Sequence, residues 1–156
     1  MQIQLVSIGQ KMPAWVQQGF DEYAKRMPRE CELVLKEIAA GKRTKNSDVA
    51  RIVKEEGERM QSAIAKDTHV VTLDVTGKSW STPELSQAMQ RWLGQGRNVA
   101  LLVGGPEGLS DEAKSLASES WSLSRLTFPH PLVRVMIAEQ LYRAWTILNN
   151  HPYHRE

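Results

Sequence analysis

Cysteine is nearly absent. The 156 residues contain one, Cys31, so no intramolecular disulfide braces the fold, and a reducing, cytoplasmic setting fits best. By burial habit Cys31 reads as strand packing rather than as a nucleophile. Long apolar runs are missing too. None approaches the roughly 20 residues that span a bilayer, so no membrane partner is expected. The opening MQIQLVSIGQK has no basic region before its apolar residues and no small-residue cleavage site, and a secretory signal is not expected. No C-x-x-C or H-x-x-x-H pattern supports a zinc site, and no metal is expected. No repeat, low-complexity tract or linker divides the chain, which reads as one domain over residues 1–156. Net charge is only +2. Non-specific affinity for nucleic acid is largely phosphate-driven, so charge alone would give this chain little hold on naked RNA. Shape recognition of a large particle is the more plausible mode.

Present instead are 41% hydrophobic and 24% charged residues, the balance of a globular chain with a sizeable core. Strand and helix patterns alternate. Ile3 to Ile8 reads as a first strand. Pro13 then opens a helix with Trp15, Val16, Phe20, Tyr23 and Ala24 at helical spacing. CELVLKEIA is a second strand, and a helix capped by Asn46, Ser47 or Asp48 runs to about Ala65 with Val49, Ile52, Val53, Met60 and Ile64 as apolar positions. His69 to Val75 is the third strand. A turn and a helix capped by Ser81 or Thr82 follow, with Leu85, Met89, Trp92 and Leu93 as the buried stripe. NVALLVG is apolar on both faces, as in the centre of a parallel sheet. A helix from Ser110 to Glu119, a short strand from Trp121 and a last helix from Pro131 to about Asn149 complete the series. The predicted class is α/β, a parallel sheet flanked by helices.

Two stretches carry candidate chemistry. The first is LLVGGPEGLS. A dinucleotide fingerprint needs G-x-G-x-x-G at the first strand–helix turn, whereas this is G-G-x-x-G after the fourth strand. A P-loop needs lysine after the last glycine, whereas Gly108 is followed by Leu109 and Ser110. Pro106 also removes a backbone N–H that a phosphate nest would use. Two readings stay open: a nucleoside held by backbone atoms, or a structural turn with Glu107 at a helix start. The basic run GKRTK, Gly41 to Lys45, likewise reads either as a solvated loop or as a phosphate-contacting loop for RNA.

The second stretch is the C-terminal third. His130 sits between Pro129 and Pro131, a stiff extended segment leading into a helix. In that helix Val133, Ile137, Leu141, Ala144 and Leu148 form an apolar stripe, with Met136 and Trp145 beside it. Glu139 and Arg143 are spaced to pair on one face. On a helix where Arg134, Gln140 and Tyr142 are nearly all the other polar positions, that pair points to an interface or site. The terminal HPYHRE sets Tyr153, His154 and Arg155 side by side, offering stacking, proton transfer and phosphate or base contact.

LDVTGKSWST, LLVGGPEGLS, WSLSRLTFPHPLVRVMIAEQLYRAW and NNHPYHRE together resemble the ribosomal RNA large subunit methyltransferase H family of the SPOUT class, across essentially the whole chain. The resemblance implies a deep trefoil knot at the C-terminal end, an exception to general topology rules. It also implies a homodimer formed through that region. The implied activity is methyl transfer from S-adenosyl-L-methionine to N3 of a pseudouridine in 23S rRNA on the assembled ribosome. By motif it places the cofactor on Leu73, on Gly104 and Gly105, and on Leu123, Ser124, Arg125, Leu126, Thr127 and Phe128. It assigns substrate binding or catalysis to His130, Glu139, Arg143, Tyr153, His154 and Arg155. The rival readings are a non-catalytic RNA- or ribosome-binding module, a nucleotide-binding enzyme, which the absent lysine disfavours, and a methyltransferase with another RNA target.

Overall fold

The computed structural model describes residues 1–154. Five parallel strands form one sheet in the order β2-β1-β4-β3-β5. They are β1 (Gln2–Ile8), β2 (Glu32–Ile38), β3 (His69–Ser79), β4 (Val99–Val103) and β5 (Glu119–Ser122). The helices are α1 (Ala14–Ala24), α2 (Val49–Ala63), α3 (Thr82–Gln95), α4 (Asp111–Ser115) and α5 (His130–Leu148). β1 and β4 lie side by side in the interior of the sheet, with Leu5 opposite Leu101. Every residue of β4 is buried, which is why NVALLVG carries no polar face.

The two faces of the sheet have separate cores. On one, Ile3, Leu5, Val71, Val99 and Leu101 meet Phe20 of α1, Trp92 of α3 and Leu141 of α5. On the other, Val6, Val70, Ala100 and Leu102 meet Met60 of α2 and Ala113 of α4. Trp92 is fully buried, and truncating such a side chain costs about 3–5 kcal/mol. Its indole N–H donates to Glu119 at 2.9 Å. That carboxylate also takes His69 at 2.6 Å and Arg91 at 3.0 Å, binding the start of β5 to β3 and α3.

The expected helix starts hold. Asp48 caps α2 by accepting from Arg51 N. Ser81 and Glu84 form a reciprocal capping box on α3. Ser110 caps α4.

Some boundaries and burial assignments differ. Trp15 is 50% and Val49 44% exposed: each is the first or second residue of its helix, where no neighbouring element covers the turn. Cys31 lies in a 3-10 turn just before β2, not in the strand, and is buried; burial pushes its thiol up to about 12, so it is inert as a nucleophile at neutral pH. The α4 helix is much shorter than predicted, because Glu119 already begins β5. β3 is longer, running past the expected end at Val75 to Ser79. Trp121 of β5 faces both Leu73 and Lys78 of β3, so residues 74–77 are extra and bulge outward. Leu73 therefore ends the regular part of β3 rather than the strand. Gly77 lies so close to Ser120 that a Cβ would fall 2.7 Å from its carbonyl carbon, which explains the glycine.

Candidate active site

Open α/β sheets bind ligands beyond the carboxyl ends of their strands. Here the bulge after Leu73, the turn after Val103 and the segment after Ser122 surround a cavity of about 660 Å³, within the range of small-molecule sites. Leu73, Val103, Leu123, Leu126 and Phe128 wall it with apolar surface, and Gly104, Gly105, Ser124, Thr127 and His130 also line it. Of the predicted cofactor residues only Arg125 is outside the lining; its side chain is exposed.

The glycine turn has a definite local cause. Gly108 N donates to Gly105 O at 2.9 Å across Gly105-Pro106-Glu107-Gly108, with proline second and glycine last, the pattern of a tight β-turn. Gly108 has φ of 85°, a conformation open to glycine. A Cβ on Gly104 would sit 2.4 Å from the Gly108 carbonyl carbon. The turn is therefore folded back on itself, and Gly104 to Leu109 all line the cavity.

His130, the first residue of α5, donates from Nε2 to the Gly104 carbonyl. That bond leaves Nδ1 as the bare acceptor of the neutral ring. Nδ1 is buried and has no partner among the described residues. Burial lowers the imidazole below the usual histidine range, against the raising effect of the Gly104 bond. At neutral pH this ring is an uncharged acceptor on the cavity wall.

Three ionisable residues of the lining had no signal in the sequence analysis, or an unresolved one. Asp74, in the β3 bulge, accepts from Thr76 N at 3.0 Å and Thr76 Oγ1 at 2.9 Å. The Thr76 amide holds its carboxyl below the usual range. Lys114 of α4 approaches it at 3.4 Å. Glu107 neither begins a helix nor stands free: Arg43 of the basic loop grips it at 2.7 Å and keeps its carboxyl low. Behind the site Arg134, 1% exposed, reaches Glu37 at 2.7 Å and the Gly9 carbonyl at 2.8 Å. The partners of Arg43 and Arg134 are 64 and 97 residues away in sequence. No local pattern could reveal them.

The other predicted residues gather elsewhere. Glu139 and Arg143 pair at 2.6 Å. The Arg143 guanidinium lies 5.1 Å over the Tyr153 ring, and His154 Nδ1 is 3.2 Å from Thr146 Oγ1. Pro152–His154 form a 3-10 turn folded back on α5. Burial and then Glu139 push the Tyr153 phenol up to about 12, so it acts as a hydrogen-bonding and stacking group, not as an anion. None of these four lines the cavity. His130 and Arg143 are separated by about 20 Å along the helix axis. Arg155 lies outside the described residues. Among the described residues, no acidic, histidine or cysteine cluster could hold a metal ion, and no helix is long and apolar enough to cross a membrane.

Comparison with known proteins places this geometry. The family model described as "Predicted SPOUT methyltransferase" matches residues 1–154. The ribosomal RNA large subunit methyltransferase H of Methylococcus capsulatus is 64% identical over 155 residues, covering 99% of this chain and 100% of that protein. Among solved structures, a Legionella pneumophila protein assigned as a methyltransferase, with the cofactor S-adenosylmethionine bound, matches with a TM-score of 0.50. That match covers 93% of this chain and 66% of the other at 14% identity, and it speaks to the fold alone. Parallel sheet, glycine turn at the strand ends and end-to-end sequence match agree: the chain belongs to the ribosomal RNA large subunit methyltransferase H family of SPOUT methyltransferases.

Proposed function

We propose that this protein transfers a methyl group from S-adenosylmethionine to N3 of a pseudouridine in 23S rRNA, acting in the cytoplasm as a homodimer on the assembled ribosome. The observation that carries the reading is the cavity at the ends of β3, β4 and β5, whose lining contains all but one of the residues the motifs assigned to the cofactor.

The donor set fits that cofactor. An apolar wall of Leu73, Leu123, Leu126 and Phe128 suits a flat adenine. Asp74, held ionised in the β3 bulge, suits a ligand bearing positive sulfonium and ammonium groups. The unpaired His130 Nδ1 gives a donor somewhere to bond. The cofactor supplies an electrophilic methyl group; the protein supplies placement and charge.

For the acceptor base, N3 must lose its proton as it takes the methyl group. Neutral His130 or the Glu139 carboxylate can accept a proton, as can His154. The Arg143 guanidinium, or Arg155, can stabilise negative charge developing on the ring. Within one chain the Glu139, Arg143, Tyr153 and His154 cluster sits far from the cavity. A second copy bringing its tail to the rim would unite them, and would cover Val75 and Leu126, 67% and 69% exposed. The same reading includes a deep trefoil knot at the C-terminal end.

The test is methyl transfer on intact ribosomes, separate subunits and free rRNA, with the product nucleoside mapped. Methylation of N3 of a pseudouridine on intact ribosomes is expected. Modification of another nucleotide, or cofactor binding without transfer, overturns the reading. For the shared site, a tail-deleted variant is mixed with a cavity variant. Mixed dimers are expected to regain activity, and no regain refutes sharing.

A further inference from the structure

We propose that Arg43 is a positioning residue for the methyl-donor site: clamped between two carboxylates, it locks the Gly104–Gly108 turn to the basic loop. This rests on the reading of the cavity given above.

Every N–H of the Arg43 guanidinium is used. Nε donates to both Glu107 oxygens at 3.0 and 3.1 Å. Nη2 reaches Glu107 at 2.7 Å and Glu56 at 3.0 Å. Nη1 reaches Glu56 at 2.9 Å and the Gly41 carbonyl at 3.0 Å. Glu56, on α2, is buried at 2% exposure, and its Oε2 also accepts from Gly41 N at 2.8 Å. A carboxylate so buried needs a charged partner, and Arg43 is the cation it has. Glu107 belongs to the cavity turn, so one side chain joins α2, the basic loop and the cavity wall. A planar fork meeting two carboxylates fixes orientation as well as distance, which a lysine would not do.

The clamp takes Arg43 out of both readings of the basic run. Arg43 is an internal anchor and has no donor left for an RNA phosphate. Lys42 and Lys45 are exposed and form no ion pair among the described residues. Gly105 is part of the same packing: a Cβ there would lie 3.1 Å from Arg43 Nη2. Glu107 lines the cavity with 32% of its side chain exposed, so its carboxylate can be altered without touching the core.

The experiment compares wild type, Glu107→Gln, the pair Arg43→Gln with Glu56→Gln (which leaves no buried charge unpaired), and the triple variant. Two quantities are read: amide hydrogen exchange of residues 104–108 without cofactor, and the calorimetric Kd for S-adenosylmethionine. Glu107→Gln is expected to speed exchange at Gly108 and weaken the Kd, each by about tenfold, as for losing a strong charge-assisted bond. The triple variant is expected to be no worse than Glu107→Gln, because both carboxylates act through one guanidinium. Wild-type exchange in Glu107→Gln, or a triple variant whose losses multiply, overturns the proposal. If wild type fails to bind S-adenosylmethionine, the functional reading fails, while the exchange result still decides the clamp.

Discussion

Replacing Gly104 by alanine adds one methyl group at the most crowded point of the site. That carbon would lie 2.4 Å from the Gly108 carbonyl carbon, 2.6 Å from its oxygen and 2.7 Å from Leu109 N. All three atoms are backbone, so no side-chain rotation relieves the clash. Restoring an ordinary contact of 3.4 Å needs a backbone shift of about 1 Å. Forcing an extra carbon into packed structure costs about 1–3 kcal/mol. For a chain of this size that lowers the melting temperature by about 5 °C. The functional loss is larger than the stability loss, because a displacement of about 1 Å in a positioning element costs up to about 100-fold in rate. Gly104 also carries the carbonyl that receives His130, so the shift disturbs the cavity on two sides. Thermal melting, calorimetry with S-adenosylmethionine and methyl transfer on ribosomes check this together. A Gly104→Ala protein that melts with wild type and binds cofactor within about twofold of it refutes the steric argument. Gly94→Ala is the matched control: it is exposed in α3 with nothing within 4 Å of an added Cβ.

Gly94→Ala is itself expected to stabilise the protein by about 0.5–1 kcal/mol, read by urea melts, since it removes only unfolded-state freedom; destabilisation would mean that the helix end is packed otherwise. Glu119 is pushed up by burial, but the bonds from Trp92, His69 and Arg91 outweigh this and hold it below the usual carboxylate range. Its stabilising contribution is therefore complete above the ordinary carboxylate value and lost as pH falls through the lower folded value. Glu119→Gln should cost about 1–3 kcal/mol at neutral pH and flatten the acid limb of stability against pH; an unchanged limb counts against the assignment. His130 is held below the ordinary histidine value of about 6.5. Cofactor affinity should thus stay level down to about that pH and fall only below it, as the protonated ring meets a cationic ligand. Calorimetry across pH checks this, and a fall that persists in His130→Gln would show that another group is responsible.

Much of the architecture was readable from local pattern. The doubly apolar NVALLVG reads as an interior strand and Ser81 or Thr82 before Pro83 as a helix start, because both signals act within a few residues. The cavity walls expected from the family resemblance came together because they lie in turns at strand ends, where a parallel sheet gathers its loops. What local pattern missed was long-range or register-dependent. The bulge that brings Asp74 to the cavity arises from Trp121 facing both Leu73 and Lys78, a mismatch between two strands rather than a property of either. Trp15 shares the helical spacing of Val16 and Phe20 yet stays exposed, since spacing does not say which turn a neighbour covers.

The sequence by itself determined the alternating elements and the short stretches in which their caps lie, since those depend on periodicity and nearest neighbours; the apolar walls of the cavity were expected from the family resemblance. Tertiary structure alone decided how the charges are used. Arg43 lies in a run that reads either as a solvated loop or as a phosphate contact, and Glu107 in a turn that reads either as a nucleoside site or as a structural turn at a helix start. Folding sets them 2.7 Å apart, with the buried Glu56 on the other side. Burying a carboxylate is costly without a partner, and the partner was supplied from a distant part of the chain once the sheet brought their loops to one edge.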